Sequence, residues 1–299
     1  MKVYLGVPRG FCAGVVRAID VVDLALDRYG SPVYVKHQIV HNPYVVKSLE
    51  AKGAKTVEDV NEIPKGATVV FSAHGSPPGD FEKAKIRNLN VVDATCPLVT
   101  KVHNEAHRYV GENRNLILVG HRDHQEVLGT MGQETMHLVD DREEIIFPEW
   151  DKDTPVTVLT QTTLSMDDTE RAIDAVKAHF SNVIVRNDLC YATTNRQVTV
   201  KELCKIVEVL LVIGAQNSSN CNRLREVAAT QGVPSYLIND PDELDVNWLV
   251  GVDSVGITSG ASTPESLVEA VIDFIKPEEV VVIKGSEEDV NFVLPPGLR

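Results

Sequence analysis

Short apolar runs alternate with longer amphipathic stretches along most of this chain. The runs predicted to be buried strands cover residues 33–35, 68–72, 115–119, 156–160, 210–213 and 254–258. The stretches predicted to be helices include residues 15–29, 169–180 and 199–209. Strands that alternate with helices form parallel sheets covered by helices. The pattern therefore predicts an α/β fold built on parallel sheets.

A loose threefold period runs through the same pattern. Cys12, Cys96 and Cys190 recur at comparable intervals, and each is followed by two turns rich in polar side chains. Self-similarity of this kind predicts repeated structural units. We expect three pseudo-symmetric α/β units that share a centre. They comprise residues 1–95, 96–188 and 189–275, with a strand at 280–283 in a tail, 276–299, that packs back on the first unit.

Composition narrows the range of partners. The chain has 29 basic and 43 acidic residues, a formal net charge of −14, so most of its surface should repel nucleic acid and anionic membranes. No apolar run approaches the roughly 20 residues of a membrane span, and the apolar stretch at the N-terminus is too short for a signal-peptide core. We therefore expect a cytoplasmic protein that binds neither nucleic acid nor membrane.

The five cysteines indicate a metal site rather than disulfides. Their number is odd, they are far apart, and no C-x-x-C pair occurs, which argues against a disulfide framework and a zinc ribbon. Cys12, Cys96 and Cys190 each precede a predicted helix, whose N-terminus should lower the thiol pKa and stabilise an anionic cluster. Cys204 and Cys221 are interpreted as structural. Three thiolates fit either zinc with a histidine or a cubane cluster with one open iron, and the spacing does not separate the two.

Polar turns follow five of the predicted strands, where α/β sheets bind ligands. They carry imidazole, hydroxyl and amide groups suited to an oxyanion, which belong to His41, His74, His124, Thr162, Ser218, Ser219, Asn220 and Ser262. No nucleotide-binding glycine motif is present, so a small phosphorylated ligand is expected. Glu126 beside this anion would have a raised pKa and deliver protons, unless it is a solvated surface glutamate.

Seven segments together resemble one known family, the IspH/LytB family of 4-hydroxy-3-methylbut-2-enyl diphosphate reductases. The segments are PRGFCAG (8–14), HN (41–42), SAHG (72–75), DATCPLV (93–99), QTTLS (161–165), CYATTNRQ (190–197) and NSSN (217–220). They follow the family's order over essentially the whole chain. Gln125 stands where a proline is common, which leaves the neighbouring His124 and Glu126 in place.

The resemblance implies a trefoil of three α/β units around a central 4Fe–4S cluster, which becomes 3Fe–4S if the iron without a protein ligand is lost. It implies reductive dehydroxylation of an allylic diphosphate to isopentenyl and dimethylallyl diphosphates, the last step of the non-mevalonate pathway. Electrons would come from a donor such as ferredoxin or flavodoxin. Cys12, Cys96 and Cys190 would ligate the cluster, and Glu126, Thr162 and His124 would be catalytic. The diphosphate would be held by His41, His74, His124, Ser218, Ser219, Asn220 and Ser262, with Thr162 near the substrate hydroxyl.

Three other functions use similar residues. An iron–sulfur hydro-lyase acting on a small phosphorylated alcohol also uses three cysteines and an open iron, but needs no external electrons. A zinc-dependent phosphoester hydrolase would use the same thiolates for a different metal. A redox sensor with a labile cluster would leave the anion-binding turns unexplained.

Overall fold

The structure is a computed structural model, and it describes residues 1–298. Its strands, in chain order, are β1 (Lys2–Val7), β2 (Val33–Lys36), β3 (Ala54–Val57), β4 (Thr68–Phe71), β5 (Asn90–Asp93), β6 (Asn115–Val119), β7 (Met136–Val139), β8 (Val156–Thr160), β9 (Val183–Val185), β10 (Val209–Ile213), β11 (Ser235–Ile238), β12 (Ser254–Ser259) and β13 (Glu279–Lys284). Its α-helices are α1 (Ala13–Tyr29), α2 (Pro43–Ala51), α3 (Pro78–Ile86), α4 (Pro97–Gly111), α5 (Gln125–Met131), α6 (Met166–His179), α7 (Tyr191–Leu203), α8 (Ser219–Thr230) and α9 (Glu265–Ile275).

The strands form three sheets whose strand pairs are all parallel. Their orders are β11-β10-β12-β1-β13, β3-β2-β4-β5 and β7-β6-β8-β9. Parallel neighbours need a crossover connection, and here helices supply most of those connections. The predicted α/β class with parallel sheets is confirmed.

The chain divides into two compact units. The first unit comprises Met1–Val15, His41–Val45 and Cys190–Asn291 and contains the five-stranded sheet. The second unit comprises Val16–Val40, Val46–Leu189 and the chain from Phe292, and contains both four-stranded sheets.

The inner strands of the five-stranded sheet are buried on both faces because they are mostly apolar, and all five residues of β10 are apolar and buried. Leu211 and Ile257 pack on one face with Val268 of α9, whereas Leu210 packs on the other with Leu224 of α8. Continuous apolar strands of this kind are typical of parallel sheets covered on two sides. The four-stranded sheets have separate cores of the same kind.

Strand ends are the feature of this fold that matters for function. The predicted polar turns follow the carboxyl ends of β4, β6, β8, β10 and β12, as expected. Because the strands within each sheet are parallel, the turns of one sheet emerge at one edge. The sheets thus place polar side chains where α/β proteins bind ligands.

One predicted helix was wrong in its bounds. The stretch 199–209 was predicted as one helix, but α7 spans Tyr191–Leu203 and β10 begins at Val209. The apolar run that follows Ile206 pairs with β11 and β12, because a buried central strand satisfies its backbone groups there. The predicted strand at 280–283 is confirmed as β13.

The segmentation into residues 1–95, 96–188 and 189–275 stays a prediction. Within the predicted first unit, β1 does not pair with β2–β5 but with β12 and β13. Among the helices of residues 1–298, none has the length and apolar character needed to cross a membrane.

Candidate functional site

Three cysteines directly precede helices, as predicted. Cys12 lies one residue before α1, and Cys96 and Cys190 are the N-cap residues of α4 and α7. All three are outside any disulfide and partly exposed. A helix N-terminus presents unsatisfied N–H groups and partial positive charge, which suits a negatively charged ligand.

The segments of Cys12 and Cys190 are bonded to each other in the first unit. The Tyr191 hydroxyl accepts a hydrogen bond of 3.1 Å from the Ala13 amide. Burial, with smaller contributions from Cys12, Glu288 and Cys190, raises the pKa of Tyr191 to about 12 against the opposing effect of that hydrogen bond. The Cys190 sulfur also lies 3.1 Å from the Thr193 hydroxyl oxygen.

For Cys12, the predicted lowering of the thiol pKa by the helix N-terminus was wrong. Burial raises the pKa of the Cys12 thiol, and this outweighs the backbone N–H groups of Val15 and Gly14, which lower it. Desolvation of the thiolate is the larger effect because the sulfur lies in a low-dielectric region. A bound cation would favour the thiolate and so act against this effect of burial.

Cys96 is held by a different set of contacts, in the second unit. Its amide donates to the Ala73 carbonyl at 3.0 Å. The buried Arg17 guanidinium donates to the carbonyls of Ala94 and Thr95 at 3.1 and 3.0 Å. A guanidinium that satisfies two adjacent carbonyls fixes the backbone just before the cysteine.

Buried polar side chains surround the N-terminus of α8 in the first unit. Ser218 is the N-cap residue, and its hydroxyl accepts from the Cys221 amide at 3.4 Å. Ser219 and Asn220 occupy the first turn and are also buried. The Asn220 side-chain nitrogen and oxygen are both buried without a hydrogen-bond partner among residues 1–298. Buried amides are rarely left this way, so Asn220 points to a polar ligand.

Ser262 and His41 are brought together in the same unit. The Ser262 hydroxyl donates to the His41 carbonyl at 3.0 Å, although 221 residues separate them in the chain. The next residue, Asn42, accepts from the amides of Tyr44 and Val45 and so begins α2. This fixes the backbone of His41 on both sides.

His74 and His124 are neighbours in the second unit. Their ring centroids lie 6.0 Å apart in an edge-to-face arrangement. Gly75 has φ +82, and a Cβ there would lie 2.9 Å from a carbon of the His103 ring, so glycine is required in this turn. Gly129 of α5 packs against the Gly75 backbone, which brings the helix that follows His124 to the His74 turn.

His124 caps α5 and has a defined tautomer. Its Nδ1 accepts a hydrogen bond of 3.2 Å from the Glu126 amide. The proton of the neutral ring is therefore on Nε2, which can donate to a ligand.

Glu126 and Thr162 form a buried pair in the second unit. Glu126 accepts from the Thr162 amide at 2.6 Å and from the Thr162 hydroxyl at 2.9 Å. Glu126 is only 3% exposed, so the alternative of a solvated surface glutamate is wrong. Burial, with a smaller contribution from the Asp188 carboxylate, raises the pKa of Glu126 to about 7 against the effect of these two hydrogen bonds. The predicted raised pKa is confirmed, and a carboxyl group with this pKa can donate protons near neutral pH.

Glu126→Gln is expected to stabilise the fold above pH 7. The carboxyl pKa is about 7 in the folded chain against an ordinary 4.5, so ionisation lowers the free energy of unfolding between these pH values. A glutamine keeps both hydrogen bonds without the charge. The gain should be near zero at pH 4 and reach about 3 kcal/mol above pH 7. Urea titrations of both proteins at pH 4 and 8 check this, and an equal difference at the two pH values would contradict it.

Cys221 packs in the core, as its structural interpretation requires. It is fully buried, and a Cβ on Gly214 would lie within 2.4 Å of its sulfur. Cys204 ends α7 as its C-cap, and burial raises the pKa of its thiol to about 11. Neither thiol is activated for metal binding or nucleophilic attack.

Several polar residues that hold these groups in place could not be identified as functional from the sequence. Arg17 supports Cys96, Arg196 contacts the segments of both other cysteines, and Asp188 acts on Glu126. Arg196 lies inside the CYATTNRQ segment, but the sequence did not indicate what its side chain contacts. Only Arg17, which lies between the apolar Val16 and Ala18, offers a local signal in the sequence.

A family comparison decides what these residues belong to. The family model described as LytB protein matches residues 3–276. The chain belongs to the LytB family. Within this LytB chain, the first unit carries Cys12, Cys190, His41, Ser218, Ser219, Asn220 and Ser262, and the second carries Cys96, His74, His124, Glu126 and Thr162.

Individual relatives of this LytB chain agree with the family match. It is 51% identical to the 4-hydroxy-3-methylbut-2-enyl diphosphate reductase of Zymomonas mobilis, covering all of this chain and 90% of that protein. It is 53% identical to 4-hydroxy-3-methylbut-2-enyl diphosphate reductase 2 of Bradyrhizobium diazoefficiens, covering 99% and 98%. A solved structure, the E-1-hydroxy-2-methyl-but-2-enyl-4-diphosphate reductase from Plasmodium falciparum, is 36% identical and superimposes with a TM-score of 0.95, covering 99% of this chain and 96% of that one.

Proposed function

We propose that this chain is a 4-hydroxy-3-methylbut-2-enyl diphosphate reductase. It would remove the substrate hydroxyl reductively and release isopentenyl and dimethylallyl diphosphates, as the last step of the non-mevalonate pathway. The observation that carries the proposal is that relatives with this name match the chain at about half identity over nearly its full length. The buried Glu126–Thr162 pair supplies the proton donor that such a reaction needs.

The iron–sulfur group would be held by Cys12, Cys96 and Cys190. The donor set fits this group, because all three residues are cysteine thiols at helix N-termini outside any disulfide, and a bound metal would offset the desolvation that disfavours the Cys12 thiolate. When bound, the group supplies two electrons, one at a time, and a Lewis-acidic iron. A 4Fe–4S cluster with three protein ligands is the form proposed, which turns into 3Fe–4S if the open iron is lost.

The diphosphate would be bound by neutral donors. These are the imidazoles of His41, His74 and His124, the hydroxyls of Ser218, Ser219 and Ser262, and the amide of Asn220. Neutral donors suit a chain with a net charge of −14, because they bind an anion through short-range hydrogen bonds. The N-terminus of α8 adds its partial positive charge to the same ligand.

Glu126 and Thr162 would move the protons. The reaction takes up two electrons and two protons for each hydroxyl lost as water. One proton goes to the leaving oxygen as the C–O bond breaks, and the other goes to either end of the allyl fragment, which accounts for two products. Glu126 with a pKa of about 7 is protonated often enough to give the first proton, and the Thr162 hydroxyl bonded to it lies in position to relay it.

Asn220→Ala is expected to weaken the binding of inorganic diphosphate by about 10- to 100-fold, the loss of one or two hydrogen bonds to a charged ligand. The melting temperature of the free protein should not fall, because no hydrogen bond within residues 1–298 is lost. Titration calorimetry measures the affinity for diphosphate, and thermal unfolding measures the melting temperature. The side chain of the exposed Asn247 donates to Asp245, and Asn247→Ala is a control that should leave the affinity unchanged. A lower melting temperature with unchanged affinity would show that Asn220 is structural.

Anaerobic assays with and without a reductant test the proposed function. Reconstituted protein should convert the allylic diphosphate to both products only when electrons are supplied, and a ferredoxin or flavodoxin in the cytoplasm is the donor we propose. Conversion without a reductant would favour the iron–sulfur hydro-lyase. Zinc without iron in protein purified anaerobically would favour the phosphoester hydrolase, and iron without any conversion would favour the redox sensor.

A further inference from the structure

Arg196 spans the two cysteine segments of the first unit. Its side chain is fully buried on α7, six residues after Cys190. Its guanidinium donates to the Gly10 carbonyl, two residues before Cys12, at 2.8 Å. It also donates to the Ala192 carbonyl, two residues after Cys190, at 3.0 Å. One cation therefore binds the backbone beside both cysteines.

Glu288 is the counterion of Arg196. Its carboxylate lies 2.9 Å from the guanidinium, and the two side chains are 14% and 1% exposed. The Asn195 amide donates to the same carboxylate oxygen at 3.3 Å. Glu288 is thus held in place over the start of α7, in the loop that follows β13.

Both charges lie beside the two cysteine segments, with opposite signs. The guanidinium of Arg196 contacts the backbone next to Cys12 and Cys190, and the carboxylate of Glu288 lies directly against it. Charges in a water-poor interior act more strongly than charges at the surface, because little solvent screens them. Any group bound by Cys12 and Cys190 would feel the same pair of charges.

We propose that the Arg196–Glu288 pair sets the reduction potential of the iron–sulfur group, with Arg196 favouring its reduced form and Glu288 limiting that effect. Arg196 is in this respect a positioning residue, since it contacts the backbone beside the ligands and not the ligand sulfurs. The inference rests on the proposed function, because it needs the group to be bound. The physical reason is that reduction adds one negative charge, which a buried cation stabilises and a buried anion destabilises.

Redox titration of the reconstituted holoprotein, followed by electron paramagnetic resonance, tests the proposal. Arg196→Gln should lower the potential and Glu288→Gln should raise it. We expect each to change the equilibrium constant for reduction by about tenfold, which is ~59 mV for one electron. The double variant Arg196→Gln/Glu288→Gln carries neither charge and should return close to the wild-type potential. A merely structural role would not shift the potential in opposite directions.

Control variants separate charge from packing. Glu202 and Lys205 form an ion pair of 2.6 Å near the exposed end of the same helix, so Glu202→Gln and Lys205→Gln should leave the potential unchanged. Arg196→Lys keeps the charge and should stay near the wild-type potential even if it binds the two carbonyls less well. If Arg196→Gln does not fold, Glu288→Gln and Arg196→Lys still decide the matter.

The outcomes for the two proposals differ. Wild-type protein that binds no iron after reconstitution would overturn the proposed function. Wild-type protein with a cluster, but with Glu288→Gln that leaves the potential unchanged or lowers it, would overturn only the role of this ion pair.

Discussion

Cys12→Ser is expected to abolish the iron–sulfur cluster and, with it, at least about a thousandfold of the turnover. Serine is a harder ligand, and its hydroxyl ionises far less readily than a thiol. Desolvation already raises the pKa of the Cys12 thiol, so an oxygen ligand there would also have to lose much of its hydration. Iron and sulfide quantitation after anaerobic reconstitution, with the electron paramagnetic resonance spectrum after reduction, measures the loss.

Cys204→Ser is the matched control for this experiment. Cys204 is also a half-exposed free thiol of the first unit, but it lies at the opposite end of α7 from Cys190. Its replacement should leave the iron content and spectrum of the protein unchanged. A Cys12→Ser protein with full iron content and an unaltered spectrum would exclude Cys12 as a ligand.

Glu126→Gln is expected to lower kcat by about 10²- to 10⁴-fold, the usual contribution of a general acid. The glutamine keeps the geometry, because its oxygen accepts from the Thr162 amide and its nitrogen can donate to the Thr162 hydroxyl. Iron content and the affinity for inorganic diphosphate should therefore change by less than about threefold. Steady-state kinetics, iron analysis and calorimetry on the same preparation separate these effects.

The pH dependence of turnover gives a second test of Glu126. Because the protonated carboxyl is the active form, wild-type kcat should fall as the pH rises through about 7. The residual activity of Glu126→Gln should lack this step. Glu112→Gln, which removes an exposed carboxylate paired with Arg108, should retain both the activity and the pH profile. Near-normal turnover in Glu126→Gln would remove Glu126 from the proposed role.

Much of the local structure could be predicted from the sequence because it depends on neighbouring residues. Pro97 directly after Cys96 favours a helix start at that point, and the cysteine is indeed the N-cap of α4. The apolar run 210–213 predicted a buried strand, because a short continuous apolar run can be recognised without knowing its distant contacts. Between Leu203 and Val209 the boundary was lost because apolar residues, Ile206 and Val207, continue through the segment that joins the helix to the strand.

Identifying the candidate site required both the sequence motifs and the tertiary structure. The family motifs singled out Cys12, Glu126 and Asn220 as residues of interest, but not how each is bonded. Glu126 was equally compatible with a solvated surface, until the structure placed it against Thr162, 36 residues away. Asn220 emerged as a candidate ligand-binding amide only when its side chain was found buried without a partner among residues 1–298.

By itself, the sequence determined the α/β class, the helix starts at three cysteines and the polar turns after the strands, since periodicity and capping act over a few residues. Only the tertiary structure decided that β1 pairs with β12 and β13, that Glu126 is dry enough for a pKa of about 7, and that Arg196 lies between two cysteine segments. Desolvation and ion pairing depend on which distant residues surround a group. No local pattern carries that information, and folding supplies it.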